Sequence, residues 1–353
     1  GSLSIKGLRI EKVKSFNYLG ITFNAKGIDT RVQLERLREK CLSATSMIQR
    51  IGFNGSGLHL AVKIPLYRSI VRSRLEYGLA ICPETKKSTK YLESSQYKCI
   101  CKMFSVFTNT SYKKLLAITG LESMTTRIEI LREKFRIRYE RYKESGISFV
   151  AVVLKWKKEI FGLNDTHCFA VDEDAELELA VVNGEREKEM NKKRLQRFKR
   201  KKTEQIIEEM NKKWDGAFWN LGIDKCSKFF LGKMLDSETM RPIILFLLNK
   251  VPGRNSECMR CKVPMTNDHF VECNKDIWNE IQKTCANPKY KISERESLLN
   301  IPRSGMLISS LIAVAIRECS WHHCKILLER IGSGIQKSFK ICSWPGKEGH
   351  HAL

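Results

Sequence analysis

Three cysteines and one histidine fall within the sixteen residues CMRCKVPMTNDHFVEC, Cys258 to Cys273, at the spacing C-x2-C-x7-H-x3-C. No other stretch constrains the fold so tightly, because four soft donors at this spacing meet one metal ion only if the backbone bends around them. Two intervening residues let Cys258 and Cys261 reach the same ion from one tight turn. His269 offers a ring nitrogen, and Cys273, four positions on, projects from the same face of a helix one turn later. Three thiolates and one imidazole fill a tetrahedral zinc site completely. The expected cofactor is therefore a single structural Zn2+, with no open position for hydrolysis, whose binding contributes directly to folding of this end of the chain. The competing expectation is four side chains that merely pack.

A second cluster, CSWHHC, places Cys319, His322, His323 and Cys324 inside an apolar helical pattern with Ile316, Ile326 and Leu327, and packing or surface positions are expected there instead of a second site. The chain carries 13 cysteines, an odd number spread over 353 residues with no secretory signal. Reduced thiols in the nucleus or cytoplasm are expected. The longest apolar run, MLISSLIAVAI from Met306 to Ile316, has the length of a buried helix and not of a membrane span. Gly1-Ser2 reads as a cloning remnant, so the natural chain is expected to continue upstream.

Charge narrows the choice of partner. Sixty-three Lys and Arg face 39 Asp and Glu, a formal net charge of +24 that repels itself in the folded state unless a polyanion is a regular partner. RNA or DNA is the first candidate. The excess is concentrated in NKKRLQRFKRKK, where Lys192, Lys193, Arg194, Arg197, Lys199, Arg200, Lys201 and Lys202 occur without an acid among them. Such a run is commonly a solvated helix face, and its coincidence with the overall excess makes these eight residues the candidate phosphate contacts. Phe198, Trp214 and Trp219 are candidate stacking groups, with core packing as the alternative.

The acidic stretch FAVDEDAELE, with Asp172, Glu173 and Asp174, reads as a solvated loop. It has no glycine-rich phosphate loop, no acid paired at a defined distance and no G-x-S-x-G nearby. Catalysis by this chain is not expected.

The remaining pattern is mainly helical. LRIEKVKSFNYLGITF, residues 8 to 23, alternates apolar and polar residues around Gly20 and predicts two strands at a sheet edge, followed by NAKGIDT as a turn. Thr30 and Gln33 read as a capping-box pair for a helix whose apolar face is Leu34, Leu37, Cys41, Ala44, Ile48 and Ile51. GFNGSG breaks it. Further helices are expected in LHLAVKIPLYRSIVRSRLEYGLAI, where Pro65 implies a kink or a start, in KYLESSQYKCICKMFSVF, and in SYKKLLAIT between a cap at Thr110 or Ser111 and a stop at Gly120. A long helix is expected from about Met124 to Phe161. Helical segments CSKFFLGKML and TMRPIILFLLNK precede the cysteine motif, and DIWNEIQKTC and SGMLISSLIAVAIRECSWHHCKILLERI follow it.

In this order the segments resemble a known family. VKSFNYLGITFNAKG is similar to the segment that closes the palm of reverse transcriptases from non-LTR, LINE-type retrotransposons, and IPLYRSIVRSRLEYGLAI resembles the thumb helix that follows. YLESSQYKCICKMF and SYKKLLAITGLESMTTRIEILREKFRIRYERY resemble the next thumb segments. Trp214-Asp215, RPIILFLLNK and the CCHC motif with Ile277-Trp278 after it resemble the C-terminal zinc-knuckle region. The likeness covers most of the chain. It implies a palm-end strand pair at 1–28, a thumb-like helical domain at 29–163, an acidic loop and basic helical connector at 164–225, and a zinc-knuckle helical domain at 226–353.

The resemblance places the paired polymerase aspartates before the Tyr18-Leu19-Gly20 segment, so they are expected to be absent here. It departs from the family at the histidine, since many relatives have four residues before the last cysteine and this chain has three. No proline-aspartate followed by a spaced acid and lysine occurs in 274–353, so no nuclease is expected. The function implied is binding of template RNA and primer duplex, or of target DNA. The alternative is a domesticated, retrotransposon-derived host protein that acts as a protein-interaction scaffold, and a further partner is the upstream palm region or a host protein.

Overall fold

A computed structural model of the chain describes residues 4–5, 8–9, 12–54, 57–106, 110–144, 189, 192–198, 200–201, 230–232, 235–248, 258, 261, 263–264, 266–290, 292, 305–318 and 321–342. These form a mainly helical protein with a little antiparallel sheet near the N-terminus. The chain divides into two compact units, one of Gly1–Tyr77, Pro83–Met124 and Gln205–Leu353, the other of Gly78–Cys82 and Thr125–Glu204. No helix among the described residues is long and apolar enough to cross a membrane.

The first unit opens with β1 (Ser4–Ile5) paired antiparallel to β2 (Leu8–Arg9). A three-stranded antiparallel sheet follows, β3 (Ser15–Tyr18), β4 (Ile21–Asn24) and β5 (Gly27–Ile28), in which Phe16 faces Phe23 and Phe23 faces Ile28. The sequence predicts the β3–β4 pair but reads residues 24 to 30 as turn alone. The third strand forms because Asn24 Oδ1 accepts from Lys26 N at 2.8 Å and Gly27 adopts φ +109°, which folds the chain straight back onto β4.

Helix α1 (Thr30–Ile48) begins at Asp29, not at the expected Thr30–Gln33 capping box. The Asp29 carboxylate accepts from Val32 N at 3.2 Å and from Asn24 Nδ2 at 3.1 Å, so one side chain caps the helix and ties it to the sheet. Gln33 is buried and turns its amide oxygen to Thr22 N of β4. The expected face of Leu34, Leu37, Cys41, Ala44 and Ile48 is buried, whereas Ile51 is exposed, because α1 gives way to a π-helical turn, Gln49–Phe53, in which Ile51 itself leaves helical geometry (φ −99°, ψ 21°).

Helix α2 (Leu60–Leu66) contains Pro65, and the chain continues through a π-helical turn, Tyr67–Arg72, into α3 (Ser73–Leu75). The widened turn follows two residues after the ring that removes an N–H from the ladder. Helix α4 (Lys86–Phe104) has a reciprocal Thr85–Ser88 cap, buries Leu92, Cys99, Ile100 and Met103, and packs on α1, where Cys99 Sγ meets Cys41 Sγ at 3.8 Å. Helix α5 (Tyr112–Thr119) starts after Ser111 and stops at Gly120 in the left-handed conformation, as the sequence predicts.

Among the described residues this unit also has five C-terminal α-helices: α7 (Ser237–Leu247), α8 (Asn267–Cys273), α9 (Lys275–Cys285), α10 (Gly305–Glu318) and α11 (Trp321–Cys342). The segment expected as one helix to Ile331 is therefore two, and the second runs on through Gly332 and Gly334. A Cβ on Gly332 would lie 2.9 Å from the Thr239 carbonyl oxygen of α7, and one on Gly334 would lie 2.4 Å from Ile281 Cδ1 of α9. The two glycines stay helical because their missing side chains let α11 press against both neighbours. Joining the helices on either side of the chain, His59 Nε2 lies 2.9 Å from Leu235 O, and Lys114 Nζ donates to Leu247 O at 3.3 Å.

In the second unit most described residues lie on α6 (Met124–Glu144), whose Arg132 donates to Cys82 O at 3.0 Å. The described part of the basic segment, 192–198 and 200–201, is also helical.

Candidate metal centre

The C-x2-C turn is closed by the Cys258 N–H, which donates to Val263 O at 2.8 Å. Thr266 then caps α8 by accepting from His269 N at 3.0 Å, which fixes the histidine on the first turn of the helix. Cys273 comes one turn later on the same face. The opposite face carries Phe270 and Val271, both fully buried, with the Phe270 ring 5.8 Å from Phe246 of α7 and 6.4 Å from Trp278 of α9. Asn274 Nδ2 donates to Phe270 O at 2.8 Å and holds the junction between α8 and α9. The helix that offers two donors is thereby fixed in the apolar core of the C-terminal helices.

All four predicted donors meet. Their ligand atoms lie within 4.8 Å of one another, and this is the one such group of His, Cys and acidic side chains among the described residues. Cys273 Sγ is 3.8 Å from both Cys258 Sγ and Cys261 Sγ, and Cys261 Sγ is 3.1 Å from His269 Nε2. A regular tetrahedron with metal–sulfur bonds of about 2.3 Å has sulfur–sulfur edges of about 3.8 Å, so the spacing is that of a coordination shell. It is far too long for a disulfide, which needs about 2.05 Å. The donor set thus fits one metal ion held by Cys258, Cys261, His269 and Cys273. Cys258 is fully buried, Cys261 is exposed, and the other two are half-buried, so the centre is reached from the Cys261 side.

The second cysteine–histidine cluster does not assemble into a site among the described residues. His322 is exposed, His323 sits edge-on against Tyr290 at 5.2 Å, and Cys324 is buried in α11; Cys319 lies outside the described residues.

The basic segment divides by helical angle. Lys192, Lys193, Arg197, Arg200 and Lys201 are exposed, and Arg194, Leu195 and Phe198 are half-buried on the other side. Arg194 Nε makes an ion pair with Glu133 at 3.1 Å, both side chains being mostly shielded, while Lys193 pairs with Glu189 at 3.1 Å in open solvent. Arg194 therefore anchors the segment within its unit, and the exposed arc carries five cations. Phe198 lies on the inward side. Lys199, Lys202, Trp214, Trp219 and the acidic stretch with Asp172, Glu173 and Asp174 lie outside the described residues.

Sequence reasoning missed two supports of the metal centre. Thr266, three residues before His269, carries a cap signal that is legible once the helix start is known. Asn274 gives no pattern at all. The chain matches no protein-family model, no curated protein and no solved structure.

Proposed function

We propose that the chain is a nucleic-acid-binding module in which one zinc ion fastens the C-terminal helices and the exposed arc of the basic segment contacts phosphates. Three thiols and an imidazole, with no carboxylate among them, favour zinc over calcium or magnesium, and four protein donors make the ion structural. When bound, the ion cross-links the C-x2-C turn to α8. The chain's own part is to present thiolates and a neutral imidazole at the right spacing, with Phe270 and Val271 seating the helix that carries two of them.

The observation that carries the nucleic-acid reading is the arc of Lys192, Lys193, Arg197, Arg200 and Lys201 exposed on one helix, in a chain of net charge +24. The wider proposal is that of the resemblance: α1 to α5 form a thumb-like bundle and the module is the C-terminal part of a non-LTR retrotransposon reverse transcriptase, gripping template RNA and primer duplex or target DNA. The order of the resembling segments, and the assembly of the four knuckle donors, support it.

A salt titration tests the reading. Phosphate contact by five cations predicts that log K for duplex DNA falls against log salt with a slope of about −4 to −5, and that a Lys193→Glu, Arg197→Glu, Lys201→Glu variant loses about three of that slope. Affinity unchanged between low and physiological salt would sink it. A stoichiometric protein partner that survives nuclease treatment, in the absence of such a slope, would transfer the chain to the scaffold class.

A further inference from the structure

The metal centre presents its three sulfurs unequally. Cys258 is fully buried, Cys273 is half-buried on α8, and Cys261 is exposed on the turn before that helix. The turn is open around it, since Val263, Pro264 and Thr266 are exposed as well. Cys41, Cys82, Cys99, Cys101, Cys285 and Cys324 are all buried, which leaves Cys261 as the one exposed cysteine among the described residues. A metal-ligating sulfur is a thiolate, and oxidation of cysteine follows thiolate character and access together. Cys261 combines the two. Cys41 and Cys99 stand just as close to each other, at 3.8 Å, but no oxidant reaches them from solvent.

We propose that Cys261 is a modification site for hydroperoxides, resolved by Cys273 into a disulfide that displaces the metal. The proposal rests on the zinc reading above and adds a means of regulating that site. The Cys261 thiolate attacks one oxygen of hydrogen peroxide: an S–O bond forms, the O–O bond breaks, and the departing hydroxide takes a solvent proton to become water. The Cys273 thiolate then attacks the sulfenic sulfur. An S–S bond forms, the S–O bond breaks, and a second hydroxide leaves as water in the same way. The two sulfurs together lose two electrons, and one peroxide becomes two waters. Cys273 is the resolving partner because its Sγ is 3.8 Å from that of Cys261, so the two need to close by only about 1.8 Å to bond. Cys261, on an exposed turn, has room for that movement. Cys258 has none, being 0% exposed with its N–H bound to Val263 O. Only Cys258 and His269 then remain as donors, half of the set that a structural zinc site uses. A disulfide, unlike a sulfinic acid, returns to thiols by exchange with another thiol, and it keeps the turn against α8 meanwhile. The change is therefore reversible.

The test adds hydrogen peroxide to the intact, zinc-loaded protein. A chromogenic chelator reads released zinc against the same mixture without peroxide, and non-reducing peptide mapping locates the new bond. One zinc released per chain in step with one Cys261–Cys273 disulfide is expected, with Cys41 and Cys99 still thiols, and dithiothreitol followed by zinc should restore the starting state. Cys261→His keeps four donors in a two-cysteine, two-histidine set that zinc accepts, and it removes the exposed thiolate. Its zinc should leave at least about tenfold more slowly; loss at the wild-type rate overturns the proposal, as does a disulfide from Cys258 to either of the other two. If Cys261→His fails to hold zinc, trapping of sulfenic acid by a cyclic dione on the wild type decides. A first adduct on Cys261 supports the site, and a first adduct on Cys258 or Cys273 overturns it. A chain without zinc before peroxide is added fails the metal reading itself, whereas a chain that carries zinc and keeps it through peroxide fails the oxidation proposal alone.

Discussion

Two pairs of cysteines in this chain have the same sulfur–sulfur separation and different chemistry. Cys41 of α1 and Cys99 of α4 lie 3.8 Å apart, as do Cys258 and Cys273 in the C-terminal helices. The first pair is fully buried, Cys41 Sγ donates to Arg38 O at 3.2 Å, and no third donor joins it among the described residues. The second has Cys261 and His269 beside it and an exposed side. Separation alone therefore does not make a metal centre. Donor number and access do, because metal must displace thiol protons and those protons must leave. The bundle around Cys41 and Cys99 holds itself by packing, whereas the helices around Cys258 can also be cross-linked by an ion.

Metal removal breaks this comparison most forcefully. Structural zinc contributes about 10 kcal/mol or more of apparent folding free energy in small zinc domains, so a chelator, or Cys258→Ser with Cys261→Ser, should unfold α8 and its neighbours. The bundle of α1 and α4 should persist. Hydrogen exchange reads both at once: amides from Phe270 to Trp278 lose protection and those from Leu92 to Ile100 keep it. Equal loss in both regions would mean that the two are one cooperative body and that the contrast drawn from the cysteines has no energetic counterpart.

Core truncation comes next in size. Phe270→Ala removes a fully buried ring from between Phe246 and Trp278 and should cost about 3–5 kcal/mol; Ile100→Ala in α4 should cost about 2–5 kcal/mol. The costs overlap, and the distinction lies in coupling. Phe270 seats the helix that carries His269 and Cys273, so its loss should weaken cobalt binding followed by the thiolate charge-transfer band, while Ile100→Ala leaves that affinity unchanged. The thiol pair of the bundle gives a smaller effect: Cys41→Ala or Cys99→Ala should cost about 1 kcal/mol, as a typical substitution does, with no change in bound metal.

The metal ligands were legible because coordination chemistry demands a spacing, and Cys258, Cys261, His269 and Cys273 stand at it. The bundle was legible because Leu34, Leu37, Cys41 and Ala44 recur at helical period against a polar background. What escaped depends on partners distant in sequence. Gln33 suits a capping box by its position, yet it is drawn to Thr22 because β4 packs on the start of α1. Gly332 and Gly334 look like a stop, and only the closeness of Thr239 and Ile281 shows why the helix runs through them. Lys63 and Arg241 are separated by about half of the chain, and as single basic residues in amphipathic helices neither hints at a shared cavity. Arg194 looked equivalent to its seven basic neighbours until the ion pair with Glu133 set it apart.

The smallest expected differences lie at the helix starts, and they sharpen the contrast by pH. Asp29 caps α1 in the bundle, and Asp236 caps α7 beside the metal centre, its carboxylate accepting from Thr239 N at 2.7 Å and from Thr239 Oγ1 at 3.0 Å. Either cap changed to Ala should cost about 1 kcal/mol. The hydrogen bond from the Thr239 backbone, joined by that from its hydroxyl, holds the Asp236 carboxyl below the usual carboxylate range despite partial burial. A carboxyl whose folded pKa is depressed contributes stability that is present in full above its unfolded pKa and is lost as pH falls through the folded one. Wild type should therefore exceed Asp236→Asn by a constant margin near neutrality, and the margin should close in acid. Comparing the melting of the two proteins from neutral to acid pH, both metal-loaded so that protonation of the shared ligands cancels in the difference, measures it. A margin that stays constant through the acid range would show that the cap acts through geometry alone and that its charge contributes nothing to the start of α7.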